Sequence, residues 1–119
     1  MKIDIYTHIF PPKYKKGIEK YSNILTTEVK HYEKYTTLAD HDWRIRILEQ
    51  YGDMGQILSV TIPPVEEIVG PDEAAELAKV SNDEMAALVA KHPQKYIAAI
   101  ANLPLSNMNV SLKEAEKTI

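Results

Sequence analysis

Apolar runs at three places along the chain predict three β-strands. They cover residues 2–6, 56–62 and 96–101. The second and third runs are almost continuously apolar instead of alternating with polar residues. This pattern is typical of strands that are covered on both faces of a parallel sheet.

Apolar residues at spacings of three and four predict helices between these strands. The longest helix covers residues 71–92, begins after Gly70 and ends before Pro93. A shorter helix over 42–51 places four apolar side chains on one side: Trp43, Ile47, Leu48 and Tyr51. Strands that alternate with helices predict a parallel sheet with right-handed crossovers.

The segment between the first strand and the 42–51 helix is a Tyr- and Lys-rich insert, residues 11–41. Its two prolines, Pro11 and Pro12, predict a helix that runs to about Tyr21. Residues 23–29 are expected to form a loop or a short strand. We therefore expect one domain over residues 1–119, with the order strand, insert, helix, strand, helix, strand, helix.

The last helix is predicted from a capping-box pattern, Ser111 followed three residues later by Glu114. This leaves only residues 111–119 for the helix. We therefore expect the chain to be the first part of a longer domain.

Composition and charge exclude several classes of protein. The 119 residues are 45% hydrophobic and 26% charged, carry a net charge of −3 and contain no cysteine. These values predict a soluble globular protein without disulfides or thiolate metal sites, and without broad attraction to nucleic acid. No stretch resembles a signal peptide or a membrane span, so a cytoplasmic location is expected.

The first strand ends in Tyr6-Thr7-His8, and this ending is a candidate metal site. Because side chains two residues apart share a face of a strand, Asp4, Tyr6 and His8 are predicted to point one way. Ile3 and Ile5 would point the other way, towards a helix layer. Ligands and catalytic groups gather at the carboxyl ends of parallel strands, where two ligands at i and i+2 converge on one ion.

A structural interpretation of the same residues stays open. A single histidine at a strand end is more commonly a hydrogen-bonded structural residue than a ligand. The phenol of Tyr6 is a poor ligand while protonated, since the reference pKa of tyrosine is about 10. An aromatic ring that packs beside the site is the favoured interpretation for Tyr6.

Two further residues are candidates for contact with a substrate. Glu66, with its neighbour Glu67, follows the second strand, and Asn102 follows the third. Ordinary hydrogen-bonding roles compete with this interpretation. The remaining histidines and arginines are predicted to be solvated, loosely packed or at a helix end: His31, His41, His92, Arg44 and Arg46.

Three stretches together resemble one enzyme family. They are IDIYTHIFPPKY, RIRILEQYGDMGQILSVTIPP and DEAAELAKVSNDEMAALVAKHPQKYIAAIANLPLSN. Their order and spacing are similar to the amidohydrolase family that includes aminocarboxymuconate-semialdehyde decarboxylase and γ-resorcylate decarboxylase. The resemblance implies a (β/α)₈ TIM barrel that binds one divalent metal, zinc or manganese. It also implies hydrolysis or non-oxidative decarboxylation.

The resemblance assigns His8 to the second ligand of the family's His-x-His or Glu-x-His pair, and Tyr6 stands where the first ligand is expected. Tyr6 is therefore a departure from the family pattern. A whole barrel needs about 250 residues, so the chain is expected to hold only its first three β/α units. The open strands would associate with the remainder of the barrel or with a second copy.

The sequence thus predicts part of a metal-dependent enzyme that acts on a small carboxylated or cyclic organic acid, inactive as 119 residues alone. The alternative is a catalytically inactive fragment that serves as an oligomerising or binding module. A flavodoxin-like open sheet is disfavoured, because no glycine-rich phosphate loop follows the first strand.

Overall fold

A computed structural model describes residues 1–21, 34–60 and 64–118 of the chain. The strands are β1 (Lys2–Ile9), β2 (Met54–Val60) and β3 (Tyr96–Ala99). The helices are α1 (Pro12–Glu19), α2 (Thr36–Ala39), α3 (His41–Glu49), α4 (Val65–Ile68), α5 (Pro71–Lys91) and α6 (Met108–Thr118). The strand order is β1-β2-β3 and both pairings are parallel, so the predicted parallel α/β sheet is confirmed.

One face of the sheet is packed against helices. Ile9, Leu58 and Tyr96, one from each strand, form a buried cluster with Leu48 of α3 and Met85 of α5. We call this the covered face, and the opposite side the open face. The predicted apolar stripe of the 71–92 helix is confirmed: its buried members are Ala74, Leu77, Ala78 and Met85.

A second cluster joins α1 to α5, with Tyr14, Ile18 and Leu77 among its buried members. Glu84 of α5 reinforces this contact, because its carboxylate accepts hydrogen bonds from the amides of Lys13 and Tyr14 at 2.9 and 3.0 Å. A carboxylate at the start of a helix is favoured by the helix dipole. The helix predicted after Pro11 is thus present, whereas residues 23–29 and His31 lie outside the described residues.

The predicted start of the last helix is wrong. The helix α6 begins at Met108, and Asn107 is its cap, since the Asn107 side-chain oxygen accepts from the amide of Val110 at 3.3 Å. Ser111 is buried inside the helix and donates its hydroxyl hydrogen to the carbonyl of Pro104 at 2.7 Å. A serine with a glutamate three residues on therefore has a packing role here instead of a capping role.

The chain that follows β3 is held by Asn82 of α5. Its side-chain oxygen accepts from the amide of Asn102 at 2.7 Å, and its side-chain nitrogen donates to the Asn102 carbonyl at 2.9 Å. The same nitrogen lies 3.1 Å from a carboxylate oxygen of Glu114 in α6. One buried amide thus fixes where β3 ends and how α6 approaches α5.

The predicted apolar side of the α3 helix is only partly correct. Leu48 is buried, but Trp43 and Tyr51 are exposed. Arg46 lies over the Trp43 ring, with its guanidinium carbon 5.3 Å from the ring centroid. Arg44 contacts the sheet, which the apolar pattern does not predict.

The prediction that Arg44 is solvated is wrong. Its Nε donates to the side-chain oxygen of Gln56 at 2.8 Å, and its Nη1 donates to the carbonyl of His8 at 2.8 Å and of Thr37 at 3.4 Å. Burial lowers the pKa of Arg44, while Tyr96 and Asp4 act in the opposite direction. Since arginine stays charged in proteins, β1 ends against a half-buried cation.

His41 was expected to be a loosely packed loop residue, and this is also wrong. It is the first residue of α3 and is buried, and neither ring nitrogen has a hydrogen-bond partner in the described part of the chain. It lines a cavity of about 270 Å³ together with Lys13, Glu84 and Lys91. Burial, followed by the charge of Arg44, lowers the pKa of His41 below the ordinary value of 6.5.

Within the three described ranges, no helix has the length and apolar character that crossing a bilayer requires.

Replacement of Arg44 by methionine is expected to lower the free energy of unfolding by about 2–3 kcal/mol, because buried carbonyl acceptors lose a charged donor. Arg46→Met is the matched control, and its cost should stay below about 1 kcal/mol, as for an exposed cation–π contact. Urea denaturation of the two variants measures the difference. Equal losses would contradict the role given to Arg44.

The lowered pKa of His41 makes stability depend on pH. The unfolded chain takes up a proton on His41 near pH 6.5, while the folded chain resists it, so the free energy of unfolding falls as pH drops through 6.5. The slope contributed by one proton is at most about 1.4 kcal/mol per pH unit. Denaturation of wild type and His41→Gln between pH 5 and 8 checks this. A wild-type-minus-variant difference that does not change with pH would contradict it.

Candidate functional site

A bulge in β1 decides which side chains reach the open face. Asp4 pairs with Gln56 and Thr7 pairs with Leu58, so two residues of β1 stand opposite one residue of β2. The Asp4 carboxylate accepts a hydrogen bond from the amide of Tyr6 at 3.1 Å. Aspartate commonly bonds to the backbone two residues on, and here this bond lies inside the bulge.

The bulge overturns the prediction that Asp4, Tyr6 and His8 all share one face. Asp4 is in register with Gln56, whose side chain meets Arg44 on the covered face, whereas His8 lies between two buried residues and points away from it. Ile3 and Ile5 do not pack against helices either, since they are 49% and 69% exposed. An extra residue reverses the alternation of a strand, which a simple period of two cannot represent.

His8 lies next to the last residue of β1, at the carboxyl end of the strand. Its Nδ1 is 2.9 Å from the hydroxyl oxygen of Ser59, its register partner in β2. The Ser59 oxygen is also 2.8 Å from the carbonyl of Thr7. The Tyr6 ring is 82% exposed and meets the His8 ring edge-on, with the centroids 5.0 Å apart.

Beside these residues a groove of about 380 Å³ runs between β1 and helices α2 and α3. Tyr6, His8, Arg44 and Gln56 are among the residues that line it. The cation at Arg44 is already engaged by two carbonyls and an amide oxygen. The groove therefore holds a fixed positive charge at the main chain of His8, while the His8 ring lies on the open face beside Ser59.

The described ranges contain no group of three or more His, Cys, Asp or Glu side chains placed to hold a metal ion. They do contain the imidazole of His8, whose Nδ1 is hydrogen-bonded to Ser59. Its Nε2 is therefore the nitrogen that could bind a metal ion. Histidines that bind metals in proteins usually bond their second ring nitrogen in this way. The surroundings of His8 therefore fit one ligand of a metal site, and Tyr6 stands beside it.

Glu66 and Asn102 lie after β2 and β3 and are held by structural hydrogen bonds. A carboxylate oxygen of Glu66 accepts from the amide of Leu105 at 2.9 Å, which ties α4 to the chain after β3. The main chain of Asn102 is held on both sides by Asn82. Substrate contact by either residue stays a prediction, as does metal binding by His8 and Tyr6.

Ser59 was not among the residues predicted from the sequence, and Arg44 was expected to be solvated. Ser59 had one recognisable feature, a hydroxyl near the carboxyl end of a mostly apolar strand. Arg44 had none in the sequence, because its acceptors are main-chain carbonyls and a glutamine brought together only by the fold.

Comparison with known proteins relates the chain to decarboxylases, although no family model matches it. It is 32% identical to the γ-resorcylate decarboxylase of a Polaromonas species over 78 residues, 66% of this chain and 24% of that protein. It is 26% identical to the 2-amino-3-carboxymuconate-6-semialdehyde decarboxylase of Dictyostelium discoideum over 134 aligned positions, 100% of this chain and 37% of that protein. The chain thus spans between 24% and 37% of the length of these relatives.

A solved structure agrees with these matches. The crystal structure of the dihydroxybenzoic acid decarboxylase from Polaromonas, with bound manganese and the inhibitor 2-nitroresorcinol, superimposes with a TM-score of 0.74 and 27% identity. The superposition covers 98% of this chain and 34% of that one. The chain therefore belongs to the amidohydrolase family that contains γ-resorcylate decarboxylase and aminocarboxymuconate-semialdehyde decarboxylase.

Proposed function

We propose that the chain forms the first three β/α units of a (β/α)₈ barrel that decarboxylates a small aromatic or unsaturated carboxylic acid without oxidation. The observation that carries the proposal is His8 at the carboxyl end of β1, with Nδ1 bonded and Nε2 left for a ligand. That strand end is where barrels of this kind place their chemistry. Relatives that are decarboxylases favour this reaction over hydrolysis.

The open face and the sheet edges support a larger barrel. In the described part of the chain β1 and β3 each pair with one strand only, and Ile3 and Ile5 are exposed beside them. Unpaired strands with apolar side chains need a cover. Further strands of the same barrel are the cover we propose, and a second copy of the chain is the alternative.

The proposed site takes one divalent cation, which when bound would hold the substrate carboxylate and neutralise developing charge. We infer manganese or zinc; the dihydroxybenzoic acid decarboxylase neighbour contains manganese. His8 would provide a ligand through Nε2. Tyr6, edge-on to that ring, would stand at the entrance and contact the substrate or the ion.

The residues around His8 would keep this strand end in place. Arg44 holds the carbonyl of His8 while Ser59 holds its ring. Glu66 and Asn102 follow the neighbouring strand ends, and we propose that they face the substrate. We further infer a cytoplasmic enzyme, because a chain without cysteine fits a reducing compartment.

A binding or oligomerising module without catalysis is the second candidate, and the unpaired edges of β1 and β3 favour it. The two proposals differ in what the 119 residues do alone. A module would form defined oligomers and would have no turnover in any longer form of the protein.

In the protein with a complete barrel, His8→Ala is expected to lower manganese affinity and turnover by more than about 100-fold, because a ligand is removed and not merely its support. Metal content by mass spectrometry and release of CO₂ from 2,6-dihydroxybenzoate measure both. The control is His92→Ala at the far end of α5.

Retention of metal and turnover by His8→Ala would overturn the proposal. The 119-residue chain alone should release no CO₂. If none of the longer forms of the protein has turnover either, and the 119-residue chain assembles into a defined oligomer, the second candidate function is correct.

A further inference from the structure

We propose that Ser59 is a positioning residue that fixes the tautomer of His8, with the proton on Nδ1 and the lone pair on Nε2. This inference rests on the proposed function, because it assigns a purpose to the free Nε2. It concerns a residue of β2 that never needs to touch the metal or the substrate.

The Ser59 hydroxyl has a single hydrogen to donate. Its oxygen is 2.8 Å from the carbonyl of Thr7 and 2.9 Å from Nδ1 of His8. A carbonyl oxygen can only accept, so the short contact with Thr7 is a hydrogen bond only if Ser59 donates its hydrogen there. With that hydrogen used, the Ser59 oxygen can only accept from the ring.

The ring nitrogen must then carry the hydrogen. Nδ1–H donates to Ser59, and in a neutral imidazole this leaves Nε2 without a proton. If instead Ser59 donated to Nδ1, two acceptor oxygens would face each other at 2.8 Å without a hydrogen between them. The positions of the heavy atoms therefore select one tautomer.

The backbone makes the arrangement stable. His8 and Ser59 are partners in the register of β1 and β2, so their side chains share a face because of strand pairing. The carbonyl of His8 is held from the other side by Arg44 at 2.8 Å. The His8 ring is thus fixed through its own nitrogen and through the main chain of His8, and it has little freedom to flip.

Free imidazoles in water favour the opposite tautomer, with the proton on Nε2. Without Ser59 the ring would therefore carry a proton on Nε2, where a metal ion needs a lone pair. The metal would first have to displace that proton. Support of this kind around metal-bound histidines typically changes metal affinity by roughly 10–100-fold. We expect the same size of effect here.

The first test is ¹⁵N NMR of the protein labelled only at histidine, without metal and at alkaline pH where imidazole rings are neutral. In wild type, long-range couplings should show a protonated Nδ1 and a bare Nε2 for His8. Ser59→Ala should shift the ring towards the Nε2–H form. Ser59→Thr keeps the hydroxyl and suits a strand, so it should restore the wild-type pattern.

A wild-type ring with its proton on Nε2 would overturn the proposal, whether or not Ser59→Ala folds. An unchanged tautomer in a folded Ser59→Ala variant, judged by its amide spectrum, would overturn it as well. The readout is specific, because a purely structural role of Ser59 would change stability without moving the proton between the ring nitrogens.

The second test is titration with Mn²⁺ of the protein that has a complete barrel. The electron paramagnetic resonance signal of the free ion measures how much Mn²⁺ stays unbound. Ser59→Ala should bind roughly 10–100-fold more weakly than wild type, and Ser59→Thr should bind like wild type. Binding unaffected by Ser59→Ala refutes the positioning role. Binding unaffected by His8→Ala refutes the proposed function instead, so the two failures are distinguishable.

Discussion

The pairing of β1 with β2 determines which residues of this chain can meet. Parallel register places His8 beside Ser59 near the carboxyl end of the strands, and it places Asp4 beside Gln56 just before the bulge. Between these points one strand has an extra residue, so the side chains before and after it lie on opposite faces. The candidate site follows from this register more than from the identity of any single residue.

The covered face supports the site through one half-buried cation. Arg44 of α3 reaches the end of β1 and binds main-chain carbonyls from two segments. Removal of a charged donor from poorly hydrated carbonyl acceptors lowers the free energy of unfolding, because water does not replace the lost hydrogen bonds. The helix that supplies Leu48 to the core thereby also fixes the main chain of His8. Core packing and site geometry are coupled through a single helix.

Much of the fold could be predicted from apolar patterns, because buried strands and amphipathic helices have distinct periods. The 71–92 helix and the three parallel strands followed from this directly. The faces of β1 could not be predicted, because a local bond of Asp4 changes the alternation. The start of α6 was misplaced since a serine inside a helix and a serine at its cap look alike in sequence. His41 is buried and Arg44 half-buried by contacts with distant residues that no local pattern contains.

The position of the candidate site could be predicted from the sequence, but the set of residues that surround it could not. His8 at a strand end could be identified from spacing and family resemblance, whereas its partner Ser59 needs the register. The most direct test of the central claim is anomalous X-ray scattering from crystals of the manganese-loaded protein. We expect a manganese peak within bonding distance of Nε2 of His8, with Nδ1 still bonded to Ser59. A peak bound through Nδ1, or one remote from the end of β1, would contradict it.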